Sequence, residues 1–237
     1  MTGKRSARLR VAVPRTSVRV AAALVVAGLA VTACGTNQLG AAATTSESRI
    51  TSATLTNEVA NLTAAYKADL AKGVKPQRPA SQAAQQVLTW LLLFRIYDKI
   101  AAQHGINVTP AQASKQLAGL SAQATQNKVT LDEFVSAAGA LPPDLLPQLG
   151  QYFATLSALE GKFDGGKTPT TTAGQSQVQS QVGHAQCVAA KSLGVQVNPQ
   201  FGVFDYRSYS VVLAAPKLAA NPKPSPTPTP PVLNPPC

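Results

Sequence analysis

Aromatic residues make up only 5% of the 237-residue sequence, with a single Trp and a single Met. Any core must therefore be built mainly from Leu, Val and Ala. Histidine is rarer still: His104 and His184 have no cysteine or carboxylate at metal-ligand spacing. Both read as surface or packing residues, and no metal site is assigned. No glycine-rich phosphate loop lies between a strand and a helix; GTNQLG at 35–40 falls in a small, polar stretch. Ser, His and Asp occur, but in no order that makes a triad, and Asp132-Glu133 reads as a pair of first-turn helix acids. No catalytic residue, cofactor or small-molecule substrate is assigned. The apolar run Val20–Val31 has twelve residues, short of the roughly 20 that cross a bilayer.

What is present begins with an export signal. Lys4, Arg5, Arg8, Arg10, Arg15 and Arg19 precede that apolar run, with no acidic residue among them. Val31-Thr32-Ala33-Cys34 closes it. A branched apolar residue, two small residues and a cysteine resemble a bacterial lipobox. On that reading 1–33 is a signal peptide and Cys34 is the lipid-attachment residue, carrying palmitate-type chains at the extracytoplasmic face of the cell membrane. The alternative is a signal cleaved elsewhere, with Cys34 an ordinary thiol. Six of the 21 basic residues and none of the ten acidic ones precede Cys34, so the remaining 204 residues carry net +5 rather than +11. These charges are scattered singly, with no basic stripe interleaved with aromatics, which argues against a nucleic-acid partner.

The rest of the chain reads as a mainly helical protein. Residues 34–47 are small and polar, a flexible tether leading toward a short strand. Residues 48–164 carry the helices. Thr51 is an N-cap candidate for a first helix, in which Leu55, Val59, Leu62, Tyr66 and Leu70 recur at helical steps before Gly73. Ser81 is the N-cap candidate for a long helix ended by Gly105, with Ile106 packing back on the last turn. Its middle, Trp90–Phe94, is apolar all round and must be covered on most sides. Thr109-Pro110 with Gln112, and Thr130 with Glu133, carry the capping-box spacing of two more helices, the second ended by Gly139. Pro142-Pro143-Asp144 opens a fifth, with Pro147 near its first turn. Residues 165–174 read as a linker. Residues 175–213 hold a sixth helix ended by Gly194, then short strands at Val195–Val197, Val203–Tyr206 and Ser208–Leu213. Segments near Arg49-Ile50, Val195–Val197 and Ser208–Leu213 are too short to stand alone, so a small sheet joining both ends of the domain is expected. Residues 214–237 read as a disordered, polyproline II-like tail: half of the 18 prolines lie in Pro216–Cys237.

The stretch LLLFRIYDKIAAQHGINVTPAQ resembles the N-terminal helical domain of SurA-like periplasmic chaperones, in which a G-I-x-V-(T/S) turn feeds a freshly capped helix. Ile50-Thr51 is similar to that family's strand-to-helix junction. V-x-V-N-P-Q-F-G-V-F-D at 195–205 resembles the C-terminal signature of actinobacterial SurA-domain lipoproteins. The likeness covers about Ile50–Val212. It implies a SurA N-terminal-like fold of about six helices with a small β element formed by the two ends, and a chaperone activity toward unfolded or exported polypeptides. Many SurA-like foldases insert a parvulin-type prolyl isomerase domain of about a hundred residues before the last helix. Here Phe163–Val178 offers only a short linker, so the expected protein is a membrane-anchored holdase and not an enzyme. The alternative is an envelope scaffold that docks one specific partner.

Trp90, Leu93, Phe94, Tyr97, Tyr152 and Phe153 are the client-binding candidates: either they line an apolar cradle or they are core. A broad apolar cradle points to the holdase, and a small patch with a polar rim to the scaffold. Cys187 and Cys237 are the remaining thiols, and export permits a disulfide. Either they pair, or Cys187 is a buried core residue and Cys237 a free terminal thiol.

Overall fold

A computed structural model describes residues 40–166 and 171–214. The signal stretch, Cys34, residues 167–170 and the proline-rich segment from residue 215 lie outside the described residues. The described residues are mainly helical, with two small antiparallel β elements. Strands β1 (Ala41–Thr44) and β2 (Arg49–Thr51) lead into helix α1 (Ser52–Ala71). A 3-10 turn (Ala80–Gln82) opens α2 (Ala83–His104), followed by α3 (Pro110–Gln126) and α4 (Leu131–Gly139). A second 3-10 turn (Pro143–Leu145) opens α5 (Leu146–Phe163). Then come α6 (Thr172–Leu193), β3 (Gln196–Val197), β4 (Val203–Asp205) and β5 (Ser210–Val212).

The caps place most of these boundaries. The Thr51 side chain accepts the Thr54 amide at 3.0 Å, which starts α1 directly off β2. Thr109 with Gln112 and Thr130 with Glu133 each form a complete capping box. At the end of α2, Gly105 adopts φ 63°, and the Ile106 amide donates to the Ala101 carbonyl at 2.8 Å. That six-to-one bond satisfies a last-turn carbonyl that would otherwise lack a partner. Two expected boundaries need correction. Ser81 caps nothing: after Pro79 the chain enters the helix through the 3-10 turn, and no side chain caps α2. Gly139 is the last residue of α4, and the left-handed stop is the buried Ala140 at φ 50°.

Helix α2 is the axis of the core. Val87, Leu88, Leu92, Ile96 and Ile100 are wholly buried. They are covered by α1, α5, α6 and β5. Burying each of these side chains contributes about 1.5–3 kcal/mol. A smaller cluster of Phe94, Val135, Leu141, Leu145 and Leu149 joins α2 to α4 and the start of α5. Helix α3 lies close against α5 at Gly150, where a Cβ would stand 3.0 Å from the Ala113 carbonyl oxygen, so a side chain there would push α3 back by a few tenths of an ångström.

The two ends of the domain do meet in one sheet, of order β2-β1-β3, all antiparallel. Its centre is β1, within the expected tether at 34–47. Ala41, Ala42 and Ala43 are fully buried, so any tether stops before residue 41. Asn198 fastens the junction, its backbone amide donating to Ala42 O at 2.9 Å and its Nδ2 to Ala41 O at 3.1 Å. The Ser208–Leu213 segment does not join this sheet. Within it, β5 pairs with β4 as a separate hairpin, Val203 opposite Val212. Gly202 at the hairpin base has φ 131°, and a Cβ there would overlap the Val212 carbonyl oxygen. The hairpin lies on α2, with the Val211 amide donating to Thr89 Oγ1 at 2.9 Å. The expected linker 165–174 is also shortened, since α6 begins at Thr172 under a Thr171 cap.

Candidate functional site

The client-binding candidates gather where α2 meets α5, but they do not form an exposed apolar cradle. Trp90, Phe94 and Tyr97 stand at helical spacing on α2, and Tyr152 reaches them from α5. Ring centroids lie 5.9 Å apart for Trp90–Phe94, 6.0 Å for Trp90–Tyr152 and 4.4 Å for Tyr97–Tyr152, the last two edge-on. Such aromatic pairs add about 0.5–1.5 kcal/mol each beyond burial. Phe94 and Tyr97 are buried, and Trp90, Leu93, Tyr152 and Phe153 are half-buried. Trp90 Nε1 donates to the Gly139 carbonyl at 2.8 Å, pinning the end of α4. Among the described residues, the exposed large apolar side chains lie elsewhere: Leu70, Val188, Val203, Val212 and Leu213.

What three of the six candidates do form is one wall of a cleft. Phe94, Tyr97 and Tyr152 line it together with Ile50 and Leu91, and its volume is ≈ 290 Å³. Trp90, Leu93 and Phe153 do not line it and pack behind it. The rest of the lining is polar: Arg49 from β2, Arg95 and Asp98 from α2, Gln148 and Gln151 from α5. The sequence reading missed these polar groups, although the helical period carried the signal. Leu91, Arg95 and Asp98 follow steps of four and three, and Gln148, Gln151 and Thr155 steps of three and four. Each series shares one face with a candidate apolar residue.

The cleft has a definite electrostatic character. Arg95 and Asp98 approach to 3.7 Å across one turn. Desolvation pushes the Asp98 carboxyl above its usual range, with Arg95 pulling the other way more weakly. The Arg49 guanidinium lies beside Gly40, 3.3 Å from where a Cβ on that residue would stand. Two guanidiniums and one carboxylate thus stand in the lining. At the floor, burial raises the pKa of both tyrosines, and Tyr97 also hydrogen-bonds Tyr152. Both hydroxyls therefore stay neutral at physiological pH, as donors and acceptors.

His104 and His184 share a second, more open groove with Phe163 and Val188. The His104 ring stands edge-on to Phe163 at 5.6 Å. Among the described residues, no group of three or more His, Cys, Asp or Glu is placed to hold a metal ion. Cys187 is buried on α6 and is disulfide-bonded. Its candidate partner Cys237 and the anchor candidate Cys34 both lie outside the described residues. No family model, no curated protein and no solved structure matches the chain, so the SurA-like resemblance rests on the sequence motifs that carry it.

Proposed function

We propose that this chain is a lipid-anchored, extracytoplasmic lipoprotein with a SurA-like domain. It binds unfolded or exported polypeptides, one short segment at a time, and does not isomerise proline. The observation that carries this reading is the cleft at the meeting of β2, α2 and α5, with its aromatic floor and polar rim. The apolar floor takes a side chain out of water, while amides and guanidiniums at the rim pair with peptide carbonyls. A cleft this small sits at the bottom of the range for ligand pockets, about 300 Å³. It holds about one residue of an extended chain, which favours particular segments over indiscriminate capture. Burial there at about 25 cal/mol per Å² leaves little surplus after ordering costs, so binding is weak and readily reversed.

A second reading, a scaffold docking one folded envelope partner, draws support from the exposed pair Val203 and Val212 with the neighbouring Leu213. The two readings separate in one experiment. Trp90 is the only tryptophan, and its ring centroid lies 5.9 Å and 6.0 Å from those of the cleft residues Phe94 and Tyr152. A tryptophan-free client protein, unfolded by reduction and carboxymethylation, should shift Trp90 fluorescence, whereas the native client should not. A proline-isomerisation assay on the same preparation should give only the uncatalysed rate. Catalysis above that rate would overturn the non-enzyme claim, and silence toward every unfolded client would leave the scaffold.

A further inference from the structure

The groove that His104 and His184 share lies where the ends of α2 and α5 meet α6, and it has no lining residue in common with the cleft. We propose that its occupant is the chain's own C-terminal segment, residues 230–237, held there by a disulfide between Cys237 and Cys187. This rests on the lipid-anchor part of the proposed function, which takes the Cys34 sulfur out of disulfide chemistry.

Three observations converge. The first is where the chain ends. The sequence has three cysteines, and Cys187 is disulfide-bonded. With the Cys34 sulfur bound to lipid, the partner left is Cys237, the last residue. The described residues stop at 214, so 23 residues remain (237 − 214). At about 3.1 Å per residue they span about 70 Å when extended, against a breadth of roughly 40 Å for a domain of this size. Joining two thiols releases two protons and two electrons, which a protein disulfide of the extracytoplasmic thiol-exchange machinery accepts as it becomes a dithiol. The second is where the bond sits. Ser180, His184 and Cys187 follow steps of four and three along α6, so they share one face. Ser180, His184 and the exposed Val188 line the groove, and a bond at Cys187 therefore brings the chain end to it. The third is the match in chemistry. The groove has ≈ 490 Å³ of space, and its lining includes Phe163, edge-on to His104, but no Lys, Arg, Asp or Glu. Residues 224–237 likewise carry no charged side chain and alternate prolines with Val232-Leu233. Proline-rich segments dock in aromatic-lined grooves because they lose little freedom on binding. The lengths agree as well. Cys187 to Ser180 is about 10 Å along the helix axis. Leu233, four residues before Cys237, reaches about 12 Å from it in a polyproline II conformation. The disulfide also sets the effective concentration of the segment in the millimolar range, so even a weak intrinsic affinity keeps the groove covered. The groove is thus closed to outside ligands, and polypeptide binding is confined to the cleft.

The test uses the full-length protein purified in detergent without reductant. Peptide mapping should join the Cys187 peptide to the Cys237 peptide. Diethyl pyrocarbonate then reads the groove, because its two imidazoles are the only histidines in the chain. His184 should react roughly five- to tenfold more slowly in the parent than in Cys237→Ala, as for a segment held at several times its own dissociation constant. The double variant Val232→Ser, Leu233→Ser keeps both cysteines, and its His184 should react within about twofold of the Cys237→Ala rate. Equal rates in all three proteins would overturn the docking. So would a double variant as slow as the parent, since the bond alone would then shield the ring. A map joining Cys187 to Cys34 would overturn the docking together with the lipid anchor. The Trp90 response to unfolded clients is read separately, so the cleft reading stands or falls by itself.

Discussion

At the scale of single residues, two carboxyl groups give opposite pH behaviour. Glu58 on α1 has its pKa raised, first by desolvation and then by the Asp144 carboxyl, which hydrogen-bonds it and repels its charge. One Glu58 oxygen is buried without a partner. A group whose folded pKa lies above its unfolded value stabilises fully below the unfolded value, and that contribution is lost as pH rises through the folded one. Glu58→Gln, which keeps the donor to Asp144 and removes the charge, should therefore raise the Tm at pH 7 by about 2 °C. It should do nothing at pH 4. Glu133 runs the other way: the Lys72 ammonium at 2.7 Å, then the Thr130 amide, hold its carboxyl down at about 2. Its contribution is complete above the unfolded pKa and is lost as pH falls toward 2. Thermal melts of the parent, Glu58→Gln and Glu133→Gln at pH 3, 4 and 7 separate the two signs. In the core, Ile96→Ala should cost about 2–5 kcal/mol, measured by urea unfolding, because a wholly buried side chain at the axis leaves a cavity on deletion.

At the scale of elements, the strands beyond Gly194 carry stability out of proportion to their length. β3 completes the sheet on β1, Asn198 ties both strands, and the hairpin covers α2 through the buried Tyr209 and Val211. Truncation after Gly194 should lower the Tm by more than about 10 °C, since several buried side chains and backbone bonds go together. Gly202→Ala should destabilise part-way, and an unchanged melt for either variant would mean that these strands carry no load. Much of this was legible in the chain. Thr51, Thr109, Thr130, Gly105 and Gly194 marked helix ends because their chemistry is local. Ala41–Ala43 could not be read as a strand, since three alanines and a threonine carry no β-branched alternation; they are buried because β2 and β3 clasp them from both sides. Ala140 escaped for the converse reason. A buried alanine accepts a left-handed stop only because packing overrides its own preference. The cleft was half legible: the aromatic wall drew attention by its rarity, whereas Arg49, Arg95, Asp98 and the glutamines looked like ordinary surface until β2 and α5 brought them together.

At the scale of the whole molecule, the proposed function joins a lipid anchor at Cys34 to a helical domain with one cleft. Cys34→Ala should leave the protein in the soluble fraction or unprocessed, as seen by fractionation and mobility. Processing and membrane retention as in the parent would remove the lipobox reading. Thiol titration of the denatured, unreduced protein should find Cys187 blocked, and a mixed-disulfide map should join it to Cys237. The central claim is that the cleft binds polypeptide, and hydrogen exchange reads it most directly. The full-length protein is compared with and without a saturating unfolded client. Added protection should appear in β2, in α2 around 91–98 and in α5 around 148–155, with the β4–β5 hairpin and the His104–His184 groove unchanged. Protection confined to the hairpin or to that groove, or none anywhere, would contradict the account.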